Sequence, residues 1–115
     1  HDGNLRIKRV WLDPKAKINE RARRAMIEAD MIVIGPGDLY TSIVPNLVVE
    51  GVSEAIKKSK AKKVYVANLM TKWGETNGFK ASDFIAAVEK YLGKCVLDYA
   101  LINTKRPSPE RMRYY

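Results

Sequence analysis

A glycine-rich turn followed by hydroxyl side chains is the part of this sequence best suited to chemistry. The turn, Gly35-Pro36-Gly37, comes directly after four apolar residues and is followed by Asp-Leu-Tyr-Thr-Ser and then by Pro45. A turn between a buried strand and a helix presents backbone N–H groups and the positive end of the helix dipole to an anion. We therefore predict phosphate binding here. The candidate residues are Gly35, Pro36, Gly37, Asp38, Leu39, Tyr40, Thr41, Ser42 and Asn46.

A purely structural interpretation of this turn is also open. The segment lacks the GxGxxG of dinucleotide-binding folds and the GK[ST] of P-loops. The glycines could serve only a tight turn, with Ser42 as the N-cap of the helix. Asp38 would repel a phosphate unless a cation or a sugar hydroxyl lay between them. Tyr40 is equally suited to packing and to ligand contact.

Polar side chains also follow a second apolar run, at residues 64–67. Because the carboxyl ends of parallel strands meet at the same edge of a sheet, we expect this loop to face the same crevice as the glycine turn. The alternative is that its side chains satisfy the backbone of the loop itself. The candidate ligand-binding residues of this loop are Asn68, Thr71, Glu75 and Thr76.

Composition narrows the class of protein. The 115 residues fit one small domain, and no apolar run approaches the length of a membrane helix. The net charge of +8 favours an anionic partner, although dispersed basic residues disfavour nucleic acid and also fit a solvated surface. His1 is the only histidine, which disfavours a Ser-His pair or a histidine metal site. The single cysteine, Cys95, predicts a reducing, cytoplasmic setting and a small buried side chain.

Apolar strands alternate with amphipathic helices along the chain. This pattern predicts an α/β fold with a mainly parallel sheet and helices on both faces, that is, a three-layer αβα architecture. We expect strands at residues 5–12, 31–34, 64–67 and 96–102, with 31–34 buried on both faces. We expect a helix after the N-cap Asn19, a helix at 43–59 interrupted at Gly51, and a third helix stopped by Gly93.

The segment GPGDLYTSIVPNLVVEGVSEAIKKSKAKKVYVANLMTKWGETNGFKASDF closely resembles the YvcK-like proteins, known as gluconeogenesis factors or UDP-N-acetylglucosamine-binding proteins. Their relatives are the CofD-like 2-phospho-L-lactate transferases. The resemblance runs from residue 7 to residue 103 and is most specific at 35–47 and 68–83. Two pairs of motifs are typical of the YvcK branch: LYTSI followed by PNL, and NLMT followed by GET.

The resemblance implies a Rossmann-like fold that binds a nucleotide-type ligand at the carboxyl ends of its strands. It implies a cytoplasmic regulator that binds UDP-N-acetylglucosamine and links gluconeogenic growth to cell-wall synthesis and cell shape. The alternative is a 2-phospho-L-lactate transferase-like enzyme using Mg²⁺, for which Asp38 and Glu75 are the acidic candidates. We expect a nucleotide-sugar or another phosphorylated small molecule as the partner, with no membrane, and self-association stays open.

Three departures from the family pattern bear on these expectations. The glycine-rich strand and turn with which family members open is not found in the 115 residues, so we expect them to form one partial α/β domain. Glu50 stands where many relatives have proline. Lys80 stands where they often have threonine, so Ser82 or Asp83 must cap the helix that follows.

Overall fold

A three-stranded parallel sheet organises the chain in the computed structural model, which describes residues 6–67, 76 and 78–102. The strands are β1 (Met31–Ile34), β2 (Lys62–Val66) and β3 (Tyr99–Leu101), and they lie in the order β1-β2-β3. In the register, Ile34 pairs with Tyr65, and Tyr65 pairs with Ala100. The predicted α/β class and parallel sheet are confirmed.

The helices follow the capping signals of the sequence. They are α1 (Glu20–Glu28), a π-helical segment (Leu39–Ile43) that continues into α2 (Val44–Leu47), α3 (Val52–Lys58) and α4 (Ala81–Leu92). Asn19 caps α1 as predicted, because its side-chain oxygen accepts the Arg21 N–H at 2.8 Å. Gly93 ends α4 with a positive φ of 120°. Among the helices of the described residues, none has the length and apolar character needed to cross a bilayer.

The predicted interruption at Gly51 is confirmed and separates α2 from α3. Gly51 has a φ of 97°, and a Cβ there would lie 2.6 Å from Cγ2 of Ile18. The segment before α1 runs alongside the break, because Ile18 N–H donates to the Glu50 carbonyl at 2.8 Å and Glu50 N–H donates to the Ala16 carbonyl at 2.9 Å. These two hydrogen bonds hold the segment at residues 16–18 beside Glu50, at the point where α2 and α3 are interrupted.

The strand predicted for residues 5–12 is not found in its described part, residues 6–12. This segment lies along α4 instead of joining the sheet. The Val10 N–H donates to the Tyr91 hydroxyl at 3.0 Å, and the Lys90 ammonium donates to the Lys8 carbonyl. An extended chain lying on a helix also alternates buried and exposed side chains, so the pattern alone does not separate the two arrangements.

The core lies between the helices and one face of the sheet. Ile34 and Tyr65 occupy this face and pack with the apolar sides of the helices. The buried helical residues of the core are Leu39, Ile43, Val44, Leu47, Val52, Ile56, Phe84, Val88 and Leu92.

The opposite face of the sheet is exposed along β1 and β3 among the described residues, whereas Val64 of the central strand β2 is buried between them. Met31 and Val33 are 59% and 55% exposed, and Tyr99 and Leu101 are similarly exposed. The prediction that β1 is buried on both faces is therefore wrong for the described chain. An apolar run indicates a preference for burial, but it does not indicate whether other elements of the chain cover that face of the sheet.

Cys95 also departs from its prediction. Its side chain is exposed rather than buried, and its φ of 62° places it in the left-handed region within the turn that follows α4. The turn geometry, and not the apolar character of the thiol, decides the position of this residue.

Candidate functional site

The glycine turn leaves β1 at the carboxyl edge of the sheet, directly beside the end of β2. Gly35 has a φ of 91°, and a Cβ at this position would lie 2.6 Å from the Val66 carbonyl oxygen. Only glycine combines this backbone conformation with so close an approach. The following Pro36 is exposed, and its peptide bond with Gly35 is cis.

Gly37 differs from Gly35 in its conformation. Its φ lies outside the left-handed region, and a Cβ would meet Cβ of Ser42 at 3.3 Å and Cδ1 of Ile43 at 3.4 Å. The backbone at Gly37 therefore requires no glycine for its torsion angles. The absence of a side chain instead lets the turn pack closely against Ser42 and Ile43 of the helical segment that follows.

The helical segment after the turn begins with N–H groups that precede its first hydrogen bonds. The Ser42 and Ile43 N–H groups both donate to the Asp38 carbonyl, at 2.9 and 3.0 Å, and these are the first bonds of the segment. The N–H groups of residues 39–41 precede them and have no acceptor within the helix. Asp38 occupies the N-cap position, and its side chain makes no capping hydrogen bond. The interpretation of Ser42 as N-cap is wrong, because Ser42 lies inside the helical segment.

The side chains of this segment divide between the core and the surface. Leu39 is 1% exposed and belongs to the core, so only its backbone can reach a ligand. Thr41 and Ser42 are exposed, which leaves their hydroxyl groups available as donors. Asn46 donates from Nδ2 to the Ser42 carbonyl at 2.6 Å and so holds the first turn of its own helix. π-Helical turns of this kind occur often at functional sites.

An apolar cavity lies against the same turn. It has a volume of about 220 Å³, and its wall includes Gly35, Ile43 and Asn46 together with β1 residues such as Ile32. The cavity is small compared with the roughly 300–1,000 Å³ typical of sites that enclose a whole ligand. The turn can thus hold the anionic part of a ligand rather than surround all of it.

Tyr40 ties the turn to the start of α4. Its ring packs edge-on against Phe79, with 6.3 Å between ring centroids, and Phe79 packs in the same way against Phe84 at 5.3 Å. Burial raises the pKa of Tyr40, nearby Tyr91 raises it further, and the Arg6 guanidinium lowers it. These contacts favour the packing role of Tyr40. Phe79 was not among the sequence candidates, and its aromatic type was the only signal for it.

The second predicted loop begins at the same edge as the first. β1 and β2 are parallel neighbours, so Val66 ends its strand next to Gly35. Thr76 is 3% exposed, and its carbonyl accepts the Phe79 N–H at 3.0 Å. Asn68, Thr71 and Glu75 lie outside the described residues. Ligand contact by either loop stays a prediction.

The acidic groups of the turn bear on the Mg²⁺ alternative. In the part of the chain that the structure describes, no three His, Cys, Asp or Glu residues come together as a metal site. Mg²⁺ is commonly held by one or two carboxylates together with substrate phosphates. Asp38 could provide one such ligand, and Glu75, the other candidate, lies outside the described residues.

A parallel sheet with a glycine turn and a helix start at its carboxyl edge defines an α/β protein with a Rossmann-like fold. The whole chain, residues 1–115, matches the family model of CofD, 2-phospho-L-lactate transferase, and the chain belongs to this family. Its resemblance to gluconeogenesis factors is confirmed as well. It is 48% identical over 110 residues to a putative gluconeogenesis factor of Thermotoga maritima, covering 96% of this chain and 35% of the relative.

A second relative and a solved structure agree with this assignment. The chain is 50% identical over 99 residues to a gluconeogenesis factor of Halalkalibacterium halodurans, covering 85% of this chain and 31% of the relative. A crystal structure of a UPF0052 family member from Bacillus halodurans superposes with a TM-score of 0.89 at 46% identity, covering 95% of this chain and 36% of that one. The chain thus spans about a third of the length of these proteins.

Proposed function

We propose that this chain supplies the phosphate-binding edge of a regulatory protein that binds a nucleotide-sugar, UDP-N-acetylglucosamine, and links gluconeogenic growth to cell-wall synthesis and cell shape. The observation that carries the proposal is the row of backbone N–H groups at residues 39–41, which follows the glycine turn at the carboxyl edge of the sheet. The relatives named gluconeogenesis factors support the metabolic part of the proposal.

A sugar diphosphate suits this edge chemically. The N–H groups of residues 39–41 and the exposed hydroxyls of Thr41 and Ser42 are donors, and phosphate oxygens accept from such donors. Gly37 has no side chain to keep a phosphate away from its backbone. Asp38 carries a negative charge at the N-cap, so it fits best against a sugar hydroxyl, which can donate to a carboxylate.

The family description favours one alternative function, transfer of a phosphate-linked group as in 2-phospho-L-lactate transferase. In that case Asp38 and Glu75 would help to hold Mg²⁺, and the metal would neutralise phosphate charge. The chain's own contribution would then be to position the substrate through the turn. Catalytic residues are not assigned for this alternative.

The proposal is tested by calorimetric titration of the protein with UDP-N-acetylglucosamine, and with GDP for comparison, each with and without Mg²⁺. We expect Gly37→Val to weaken UDP-N-acetylglucosamine binding at least tenfold, because a branched side chain would keep a phosphate away from the backbone of the turn. Thermal unfolding should change little by comparison. The matched control is Glu54→Gln on the exposed side of α3, which should leave affinity unchanged.

Two results would contradict the proposal. Unchanged affinity in Gly37→Val, with equal loss of thermal stability, would leave the turn with a structural role only. Binding of GDP in preference to UDP-N-acetylglucosamine, with Mg²⁺-dependent turnover of a phosphate-linked substrate, would establish the transferase alternative.

A further inference from the structure

A large cleft is lined by residues other than those of the glycine turn. It has a volume of about 720 Å³ and is formed by residues 8–16, the end of α2 and the last turn of α4. This volume falls within the roughly 300–1,000 Å³ of typical small-molecule sites. We call it the cationic cleft, and its polar and aromatic lining includes Lys8, Arg9, Trp11, Lys15, Glu50 and Lys90.

Charge is unbalanced in the cationic cleft. Lys8, Arg9, Lys15 and Lys90 bring four positive charges, and Glu50 brings the only negative side-chain charge of the lining. Among the described residues, the ion pair formed is that of Glu20 with Arg23 in α1. None of the four cations of the cleft is therefore paired with a carboxylate of the described residues. Like charges held together without counter-ions favour an anionic ligand.

An exposed aromatic ring stands beside these cations. Trp11 is 67% exposed, and the Arg9 guanidinium carbon lies 5.7 Å from the centre of its ring. Exposed aromatic rings next to basic side chains commonly stack on nucleobases while the cations contact phosphate. Part of the lining is apolar, since it includes Leu47 at the end of α2 and Val48, which caps that helix.

Hydrogen bonds between two elements hold the wall of the cleft in place. The Val10 N–H donates to the Tyr91 hydroxyl at 3.0 Å, and the Lys90 ammonium donates to the Lys8 carbonyl. Lys90 also lies over the Tyr91 ring, 5.5 Å from its centre. The segment carrying Trp11 is thereby fixed on α4, so the cleft is formed before a ligand enters.

The cationic cleft is distinct from the glycine turn. α4 begins at Ala81, next to the cluster of Tyr40 and Phe79, and ends at Leu92 beside the cleft. At about 1.5 Å per residue, the two ends of α4 are about 17 Å apart. A ligand at the turn and a ligand in the cleft would therefore contact different residues, although Tyr91 of the cleft lies near Tyr40 of the turn.

We propose that the cationic cleft is a second binding site, for a free nucleoside phosphate whose base stacks on Trp11 and whose phosphates lie among Lys8, Lys15 and Lys90. The inference does not depend on the function proposed for the glycine turn. A nucleotide is favoured over single-stranded nucleic acid because the lining offers one exposed aromatic ring within a bounded volume, whereas a strand requires successive stacking platforms.

The test is a titration of the protein with ADP in which the NMR signal of the Trp11 indole N–H is monitored. This signal is assigned by its loss in Trp11→Leu, and it reports on the cleft whatever happens at the glycine turn. We expect the indole signal to shift on ADP addition. Lys15→Gln should weaken ADP binding at least fivefold, and Trp11→Leu, followed by calorimetry, should weaken it at least tenfold.

Two further variants separate a local effect from a general charge effect. Glu50→Gln removes the negative charge of the lining and should strengthen ADP binding severalfold. Lys60→Gln removes one positive charge at an exposed position outside the cleft and should leave ADP binding unchanged. Thermal unfolding of each variant establishes that it is folded.

Three outcomes would overturn the proposal. The first is an unshifted Trp11 signal at millimolar ADP. The second is an equal effect of Lys15→Gln and Lys60→Gln on ADP affinity, which would indicate non-specific charge attraction. The third is tighter binding of an oligothymidine than of ADP with the same variant pattern, which would assign the cleft to single-stranded nucleic acid.

Discussion

Replacement of Gly35 by alanine should destabilise the fold strongly. A non-glycine residue in the left-handed region costs about 1–2 kcal/mol. The new Cβ would also lie 2.6 Å from the Val66 carbonyl oxygen, a contact that ordinary structures avoid. Since this oxygen belongs to the backbone of β2, relief requires the strand ends to separate, at about 1–3 kcal/mol for an overpacked core. We expect the free energy of unfolding to fall by about 2–5 kcal/mol.

Gly37→Ala is the matched control, because the same atom is added two residues along in the same turn. Its φ is acceptable to alanine, and its closest contacts, at 3.3 and 3.4 Å, are to side chains rather than backbone. We expect a change within about 1 kcal/mol of the original protein. Urea unfolding followed by circular dichroism measures both, and with an m value of about 1.5 kcal/mol/M the Gly35→Ala midpoint should fall by about 1–3 M. Equal midpoints for the two variants would refute the reasoning.

Three further predictions concern the core and one helix start. Tyr65 is fully buried, and its hydroxyl has no hydrogen-bond partner among the described residues, so Tyr65→Phe should raise the free energy of unfolding by about 1 kcal/mol in urea titrations. Burial raises the pKa of Tyr65 to about 12. The unfolded chain releases this proton near pH 10, so stability should fall by about 1.4 kcal/mol per pH unit between pH 10 and 12 in the original protein relative to Tyr65→Phe. A constant difference between the two proteins across that range would contradict this assignment. Asp83 accepts the Lys80 N–H at 2.7 Å, so Asp83→Ala should lower thermal stability by about 0.5–2 kcal/mol while Ser82→Ala, its control, changes little.

Local signals in the sequence located most of the elements. The apolar runs at 31–34 and 64–67 became neighbouring parallel strands, because short β-branched runs have few other stable arrangements in an α/β protein. Asn19 and Gly93 marked helix ends correctly, since capping depends on the residue and its immediate neighbours. The Asp83 contact at the start of α4 also agrees with the requirement that another residue cap the helix after Lys80.

Features that depend on contacts between residues far apart in the sequence could not be predicted from local signals. Residues 6–12 have the alternation of a strand, yet hydrogen bonds with α4, far along the chain, determine where they lie. Asp38 and Ser42 are both good N-cap residues, and only the position of the first helical bonds decides between them. The packing of Tyr40 on Phe79 likewise depends on how the turn meets α4.

In the glycine turn too, the sequence identified the candidate residues, but distant contacts determined what each residue does. The sequence analysis named both glycines as candidates and did not distinguish their roles. The structure assigns the left-handed conformation and the close backbone contact to Gly35. Gly35 is therefore required for the fold, whereas the φ of Gly37 does not require glycine, and we propose that its small size gives a ligand access to the helix start. A substitution at Gly37 can consequently alter binding without unfolding the sheet, which is why it is the more informative position for testing function.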